Sequence, residues 1–274
     1  MDAYEHCSRT VRDLDRDRYI ADLFAPAPVR KHLFALHAFN AEVARIRDTV
    51  SDPVLGEIRL QWWRDALLAG GGGHPVATAL IETIRTFALP LAGFEGLLDA
   101  RVFDLYDDQM PTVGDLEGYA GETSSALIQL GAIVLAGGHD PRVATAVGHA
   151  GVAYAMTGLM RALPLHAARG QCYLPADIGA AHGFDRQTLT RGQPTPELLM
   201  ALADMRRIAR EHLATAMPEI AALPVSLKPA FLPAALVGPV LDRMDRPGYD
   251  PFSGRNDLLP WRRQWILWRA AHRW

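Results

Sequence analysis

Residues Leu23 to Val50 read LFAPAPVRKHLFALHAFNAEVARIRDTV. Within them Leu33, Leu36, Phe39, Val43 and Ile46 recur at intervals of three and four, the spacing of one apolar face on an α-helix. The spacing predicts a helix near 27–48, ending in Arg45, Arg47 and Asp48. The next segment, Gly56 to Leu67, reads GEIRLQWWRDAL. Adjacent tryptophans on a helix cannot both face one core, so Trp62 and Trp63 are expected to divide between core and surface.

The same period runs through the rest of the chain, for example in Leu198, Leu202, Met205 and Leu213. Asp52-Pro53, Asp140-Pro141 and Thr195-Pro196 each set a capping side chain before proline, a helix start. Thr112 with Asp115 resembles a capping box. Gly70 to Gly73, Gly137-Gly138 and Gly192 read as helix ends. Helices are expected near 2–19, 27–48, 53–69, 75–88, 91–108, 113–136, 141–166, 196–217, 226–243 and 257–273, with short ones between Pro175 and Arg191. No stretch alternates with period two, no repeat is visible, and no polar linker divides the chain. One all-α domain over 1–274 is the expectation.

The bulk numbers agree with a globular protein: 274 residues, 49% hydrophobic, 22% charged, net charge −3. That balance excludes a disordered tail and provides no basic field for nucleic acid. Lys31 and Lys228 are the two lysines among 28 basic residues, so a lone arginine is weak evidence of guanidinium chemistry. Cys7 and Cys172 fit no zinc or redox spacing and are expected as reduced thiols. Met1 to Tyr19 has no apolar core of a secretory signal. The apolar runs Ala126–Ala136 and Ala150–Met160 are shorter than the ~20 residues a spanning helix needs. A soluble or peripheral protein is expected.

A second distinctive stretch, GLMRALPLHAARGQCYLPADI, runs from Gly158 to Ile178. Together with the first it resembles the squalene/phytoene synthase family, head-to-head prenyltransferases that join two allylic diphosphates. In that family an early and a later helix each carry Asp-x-x-x-Asp, and the later one is followed by a loop ending Gly-Arg-x-Tyr-Leu-Pro. Here Gly170-Gln171-Cys172-Tyr173-Leu174-Pro175 fills that slot, with Gln171 in place of arginine. Asp104-Leu105 and Tyr119 match a further Asp-Leu pair and tyrosine. The resemblance implies the isoprenoid synthase fold, a single helical domain around a central cavity.

The chemistry is where this sequence departs from the family. Ionising an allylic diphosphate requires Mg²⁺ on the leaving group, held by carboxylates one helical turn apart. The first motif aligns to Ala44-Arg45-Ile46-Arg47-Asp48 and the second to Ala162-Leu163-Pro164-Leu165-His166, so Asp48 alone keeps a metal-facing carboxylate. Arg45 and Arg47 put positive charge where the family has negative charge. No cofactor is expected. Mg²⁺ enters only under the alternative, a prenyltransferase using Asp48, Asp104 and Tyr173, with Asp48, Asp104 and Asp108 as the metal candidates.

Other residues resemble one branch of the family, the phytoene-synthase-like assembly factor of respiratory complex I and its bacterial relatives. They are Ala38 to Glu42, the Gly-Glu-Ile-Arg-Leu-Gln-Trp-Trp run, Leu174 to Ile178 with His182-Gly183, and Asn256 to Pro260. This resemblance implies a non-catalytic role in complex I assembly. A complex I subunit or assembly intermediate is the implied partner, with an isoprenoid or lipid as ligand. The implied location is peripheral, on the cytoplasmic side in a bacterium or the matrix side in a mitochondrion. The alternative is a synthase condensing two farnesyl- or geranylgeranyl-diphosphates.

Several residues carry competing readings. Asp13 and Asp17 stand in an Asp/Arg-rich first helix and read as a solvated face. Asp104 and Asp108 form another i, i+4 pair, near an expected helix end. Arg45, Arg47, Arg161 and Arg169, with His166, fall in or beside the degenerate motifs and are candidates for binding a diphosphate or anionic headgroup. The competing reading has these arginines capping helix ends or paired with Glu42, Asp48 and Glu57. His149 reads as a satisfied core histidine. Trp261, Trp265 and Trp268 share a helix face near the C-terminus, close to Trp274 and beside Arg262, Arg263, Arg269 and Arg273. That face suits either a membrane or partner contact, or the core.

Overall fold

The computed structural model describes residues 2–70, 73–253 and 257–273; Gly71, Gly72, Asn256 and Trp274, which the sequence reading used, lie outside the described residues. Among the described residues the elements are helical, and the one β-type pairing is an isolated bridge between Gln109 and Cys172.

The N-terminal stretch folds as two helices, α1 (Ala3–Leu14) and α2 (Arg16–Asp22), instead of the single expected one. Asp15 breaks it: its side chain accepts from the Arg18 amide at 3.2 Å and from the Arg18 guanidinium at 2.6 Å, capping α2. The chain turns inward there. Asp17 is consequently buried rather than solvated, while Asp13 stays exposed.

α3 (Ala27–Ala44) is buried on nearly every side from His32 to Ala41, so it is a central helix and not the one-faced helix its apolar stripe suggests. It packs against α1, α6 (Pro75–Phe87) and α9 (Ala126–Leu135). A break at Arg45 separates it from α4 (Ile46–Thr49). In α5 (Pro53–Ala69), Asp52 caps the Val54 amide at 2.8 Å and Gly70 ends the helix at φ +94°. Trp63 joins the core beside Phe39, and Trp62 lies at the surface.

α7 (Leu91–Ala100) stops well short of the expected 108; a 3₁₀ turn, Phe103–Leu105, follows, and then extended chain. Asp104 and Asp108 therefore share no helix face: Asp104 is buried and Asp108 exposed. α8 (Val113–Ala120) has the complete Thr112/Asp115 capping box. It continues through a π turn, Gly121–Ser125, into α9.

α10 (Ala144–Arg161) begins three residues after the expected start, because Asp140 caps the amide of Arg142, which sits at φ +54° outside the helix. The helix breaks at Ala162 before Pro164, giving α11 (Leu163–Ala168). The short helices α12 (Ala176–Ala181) and α13 (Arg186–Thr190) precede α14 (Pro196–Ala222), which packs along α10. The stretch Val225–Met244, a long 3₁₀ turn followed by α15 (Val237–Met244), is apolar enough by length and composition to cross a membrane, with mean hydropathy 1.3. It holds Pro229 and Pro233 and buries Phe231, Leu232 and Leu236 in the core. α16 (Pro260–Arg273) closes the structure against that stretch and α2.

Candidate functional site

α2, α3, α10 and α16 enclose a cavity of about 540 Å³. Among the described residues six arginines line it: Arg16, Arg18, Arg45, Arg101, Arg161 and Arg263. The acids on its wall are Asp15, Asp17 and Asp257. Sequence spacing had pointed to Arg45, Arg161 and His166 among these, and the remainder come largely from the inward turn at Asp15.

Most of these charges are already paired. Arg18 is buried against Asp15 and lies over the Tyr154 ring at 5.0 Å. Arg263 forks onto Asp17 and also reaches Asp257. Arg161 approaches Asp17 and Asp257 more loosely, at 3.9 Å each. Arg16 and Arg45 have no acid within ion-pair distance among the described residues. These two, with Arg161, are the guanidinium groups left to meet an incoming anion.

The floor carries polar atoms without partners. Asn40 Oδ1, Ser124 Oγ and Arg101 Nε are buried and unbonded, and all three residues line the cavity. A buried polar atom that gives up water without a replacement costs about 1–3 kcal/mol. All three belong to residues of one cavity wall, which therefore has hydrogen-bonding capacity to spare.

Beside the floor stands a closed hydrogen-bond net. The Asp104 carboxylate accepts from the Tyr119 hydroxyl at 2.8 Å, the Tyr173 hydroxyl at 2.6 Å and the Arg101 guanidinium at 2.8 Å. Its backbone carbonyl accepts from the Gln171 amide at 2.7 Å. The Gln109–Cys172 bridge and the bond from Gln109 Nε2 to the Leu174 carbonyl, at 2.7 Å, hold the two strand-like segments together. Burial pushes both tyrosine hydroxyls well above their ordinary range, so they stay protonated as donors. His166 packs on the Tyr173 ring at 4.6 Å, and burial holds it down at about 4. At neutral pH it is an uncharged ring on the cavity wall and adds no positive charge.

The two remaining motif arginines do not line the cavity. Arg169 is bonded directly to Asp48, joining the ends of α4 and α11. Arg47 faces Asp107 at 3.8 Å, with its Nε buried and unpartnered. The competing reading of Arg169 as an ion-pair partner of Asp48 is therefore what the structure shows, and Arg47 is likewise paired, though to Asp107.

Mg²⁺ does not fit these residues. Asp104 has committed its oxygens to three donors, Asp48 is taken by Arg169, and Ala44 and Ala162 provide no ligand. Asp108 is exposed, whereas Asp104 is buried. Among the described residues no group of three His, Cys, Asp or Glu side chains is arranged to hold a metal ion.

Away from the cavity, His149 is half-buried and meets His212 at 2.9 Å, while His212 bonds Glu117 at 3.1 Å. The satisfied histidine is thus a member of a polar chain between α10, α14 and α8. Trp261, Trp265 and Trp268 are 65%, 53% and 46% exposed, so the core alternative for that face is corrected. α16 does dock on the body, but through Leu267 and Ala270.

The family model described as squalene/phytoene synthase matches residues 11–269. The chain is 30% identical, over 97% of its length and 82% of the relative's, to NADH dehydrogenase (ubiquinone) complex I, assembly factor 6 from Bos taurus. It is 26% identical to phytoene synthase from Thermus thermophilus, over 96% of this chain and 90% of that one. Among solved structures, a dehydrosqualene synthase in complex with ligand superposes with TM-score 0.84 at 17% identity, covering 98% of this chain and 95% of that chain. The isoprenoid synthase fold expected from the sequence is the fold observed.

Proposed function

This chain belongs to the squalene/phytoene synthase family, and from that premise we propose that it has lost Mg²⁺-dependent prenyl transfer and serves in the assembly of respiratory complex I. The observation that carries this reading is the Asp48–Arg169 ion pair. Where catalytic members of the family hold two carboxylate motifs apart with metal between them, a guanidinium here neutralises the one remaining motif carboxylate directly. The naming of a 30% identical relative as a complex I assembly factor supplies the biological half of the proposal.

In this reading the cavity is a binding site. Arg45 and Arg161 take the phosphate or diphosphate end of an isoprenoid or lipid, and Asn40 and Ser124 hydrogen-bond its polar atoms. The protein works peripherally, on the face of the membrane from which the complex is assembled, with a complex I subunit or assembly intermediate as partner.

A second reading, head-to-head prenyl transfer, draws on the family match and on the phytoene synthase relative. It needs Mg²⁺ at Asp48 and Asp104, where the residues do not fit.

Deleting the gene from its host separates the two. The proposal expects NADH-dehydrogenase activity of the membranes to fall while isoprenoid products stay unchanged. Full NADH-dehydrogenase activity in the deletion strain, or a loss of isoprenoid product, contradicts it.

A further inference from the structure

The outer face of α16 is left uncovered by the described residues. Trp261, Trp265 and Trp268 lie along it, Trp265 and Trp268 stacked at 5.0 Å, and Leu259 extends the patch at 58% exposure. His272 packs on Trp268 at 4.5 Å and holds it in place. Exposed indoles in a continuous row mark an interaction surface, because single scattered apolar residues are the rule on a monomer.

The charge around this row is one-sided. At 3.6 residues per turn, Arg262, Arg269 and Arg273 fall within about 40° of one another, along one flank of the tryptophans. All three are exposed, none has an acid within ion-pair distance among the described residues, and α16 contains no Asp or Glu. The opposite face buries Leu267 and Ala270, so the tryptophans are not a core face that has come loose.

We propose that this face seats on an anionic phospholipid bilayer. Indole rings settle at the level between headgroup and acyl chain, and guanidinium groups beside them reach the phosphates. A row of unpaired cations running the length of a helix fits a plane of negative charge better than a discrete protein partner, whose acids would be placed at points. The inference rests on the peripheral location proposed above and names its surface, but it does not depend on complex I assembly, which the gene deletion tests separately. It does relate the surface to the cavity, since Arg263 on the inner side of the same helix lines the cavity wall. A seated α16 holds the cavity within about 10 Å, one helix diameter, of the headgroups.

Co-sedimentation of the full chain with vesicles tests it. One set is phosphatidylcholine alone; the other is phosphatidylcholine with roughly a third phosphatidylglycerol, at low and at physiological salt. The expected result is binding to the anionic vesicles that weakens with salt. Trp261→Ala/Trp265→Ala/Trp268→Ala lowers it at least about tenfold, and replacing Arg262, Arg269 and Arg273 by Gln lowers it about fivefold per residue. These side chains are exposed, so helical circular dichroism should stay unchanged in both variants. A control variant, Leu55→Ser/Ile58→Ser, alters the exposed apolar stripe of α5 and should bind as wild type. The proposal is overturned by wild-type protein that ignores both vesicle types, the outcome expected of a protein-docking face. It is also overturned if the tryptophan variant binds undiminished, or if only the α5 variant loses binding.

Discussion

Asp104 accepts two tyrosine hydroxyls and one guanidinium at once, and each donor comes from a different part of the chain. Such a carboxylate is an organising group: it fixes α8 and the 171–175 segment relative to the 3₁₀ turn. Asparagine at this position offers one acceptor oxygen where three donors converge, and leaves Arg101 without its counter-charge. Asp104→Asn is expected to lower stability by about 3 kcal/mol, the range for breaking a buried pair by removing one partner. Equilibrium urea unfolding measures it, and an unchanged midpoint contradicts a structural role. Asp104, Tyr119 and Tyr173 could be singled out in the sequence because they sit in recognisable strings. The convergence of Arg16, Arg101 and Arg263 on the cavity could not. Spacing along a helix tells which residues share a face, but not whether an arginine on that face is paired, and Arg45 and Arg169 look alike in the string while only Arg169 has an acid at hand. The burial of Asp17 is hidden for a related reason: its Asp/Arg-rich neighbourhood looks solvated until Arg263, far away in sequence, is brought against it.

At the scale of elements, the local chemistry of helix starts was a good guide. Asp52, Thr112 and Thr195 cap as their sequences imply. What escapes the sequence are the breaks inside expected long helices, at Asp15, Arg45 and Ala162, where the residue at which one helix ends and the next begins is neither proline nor glycine. Both degenerate motifs straddle such a break, Arg45 in one and Ala162 in the other, which is how their ends come to face each other. The π turn at Gly121–Ser125 was equally hidden, since one extra residue per turn barely disturbs an apolar pattern. It packs closely against α10. A Cβ added to Gly151 would lie 2.5 Å from the Ser125 backbone nitrogen and Cα, and 2.2 Å from its Oγ. Backbone cannot yield as a flexible side chain does. Gly151→Ala is therefore expected to destabilise by at least about 2 kcal/mol, even after alanine's better helix propensity. The α8–α9 region should loosen with it, which hydrogen exchange of the Gly121–Ser125 amides would register; unaltered protection and melting would refute the contact's importance.

The whole molecule presents a helical enclosure whose interior is unusually charged. Arginines and aspartates from α2, α10 and α16 neutralise one another around a cavity where Arg16 and Arg45 have no acidic partner among the described residues. An interior of this kind can draw in and hold an anion, while pulling a diphosphate off its allylic carbon takes divalent cations that the residues present do not gather. The most direct measurement is pyrophosphate release from farnesyl diphosphate by the purified chain with millimolar Mg²⁺. The account predicts release no faster than in the protein-free control. Mg²⁺-dependent release that disappears in Asp48→Asn would contradict it.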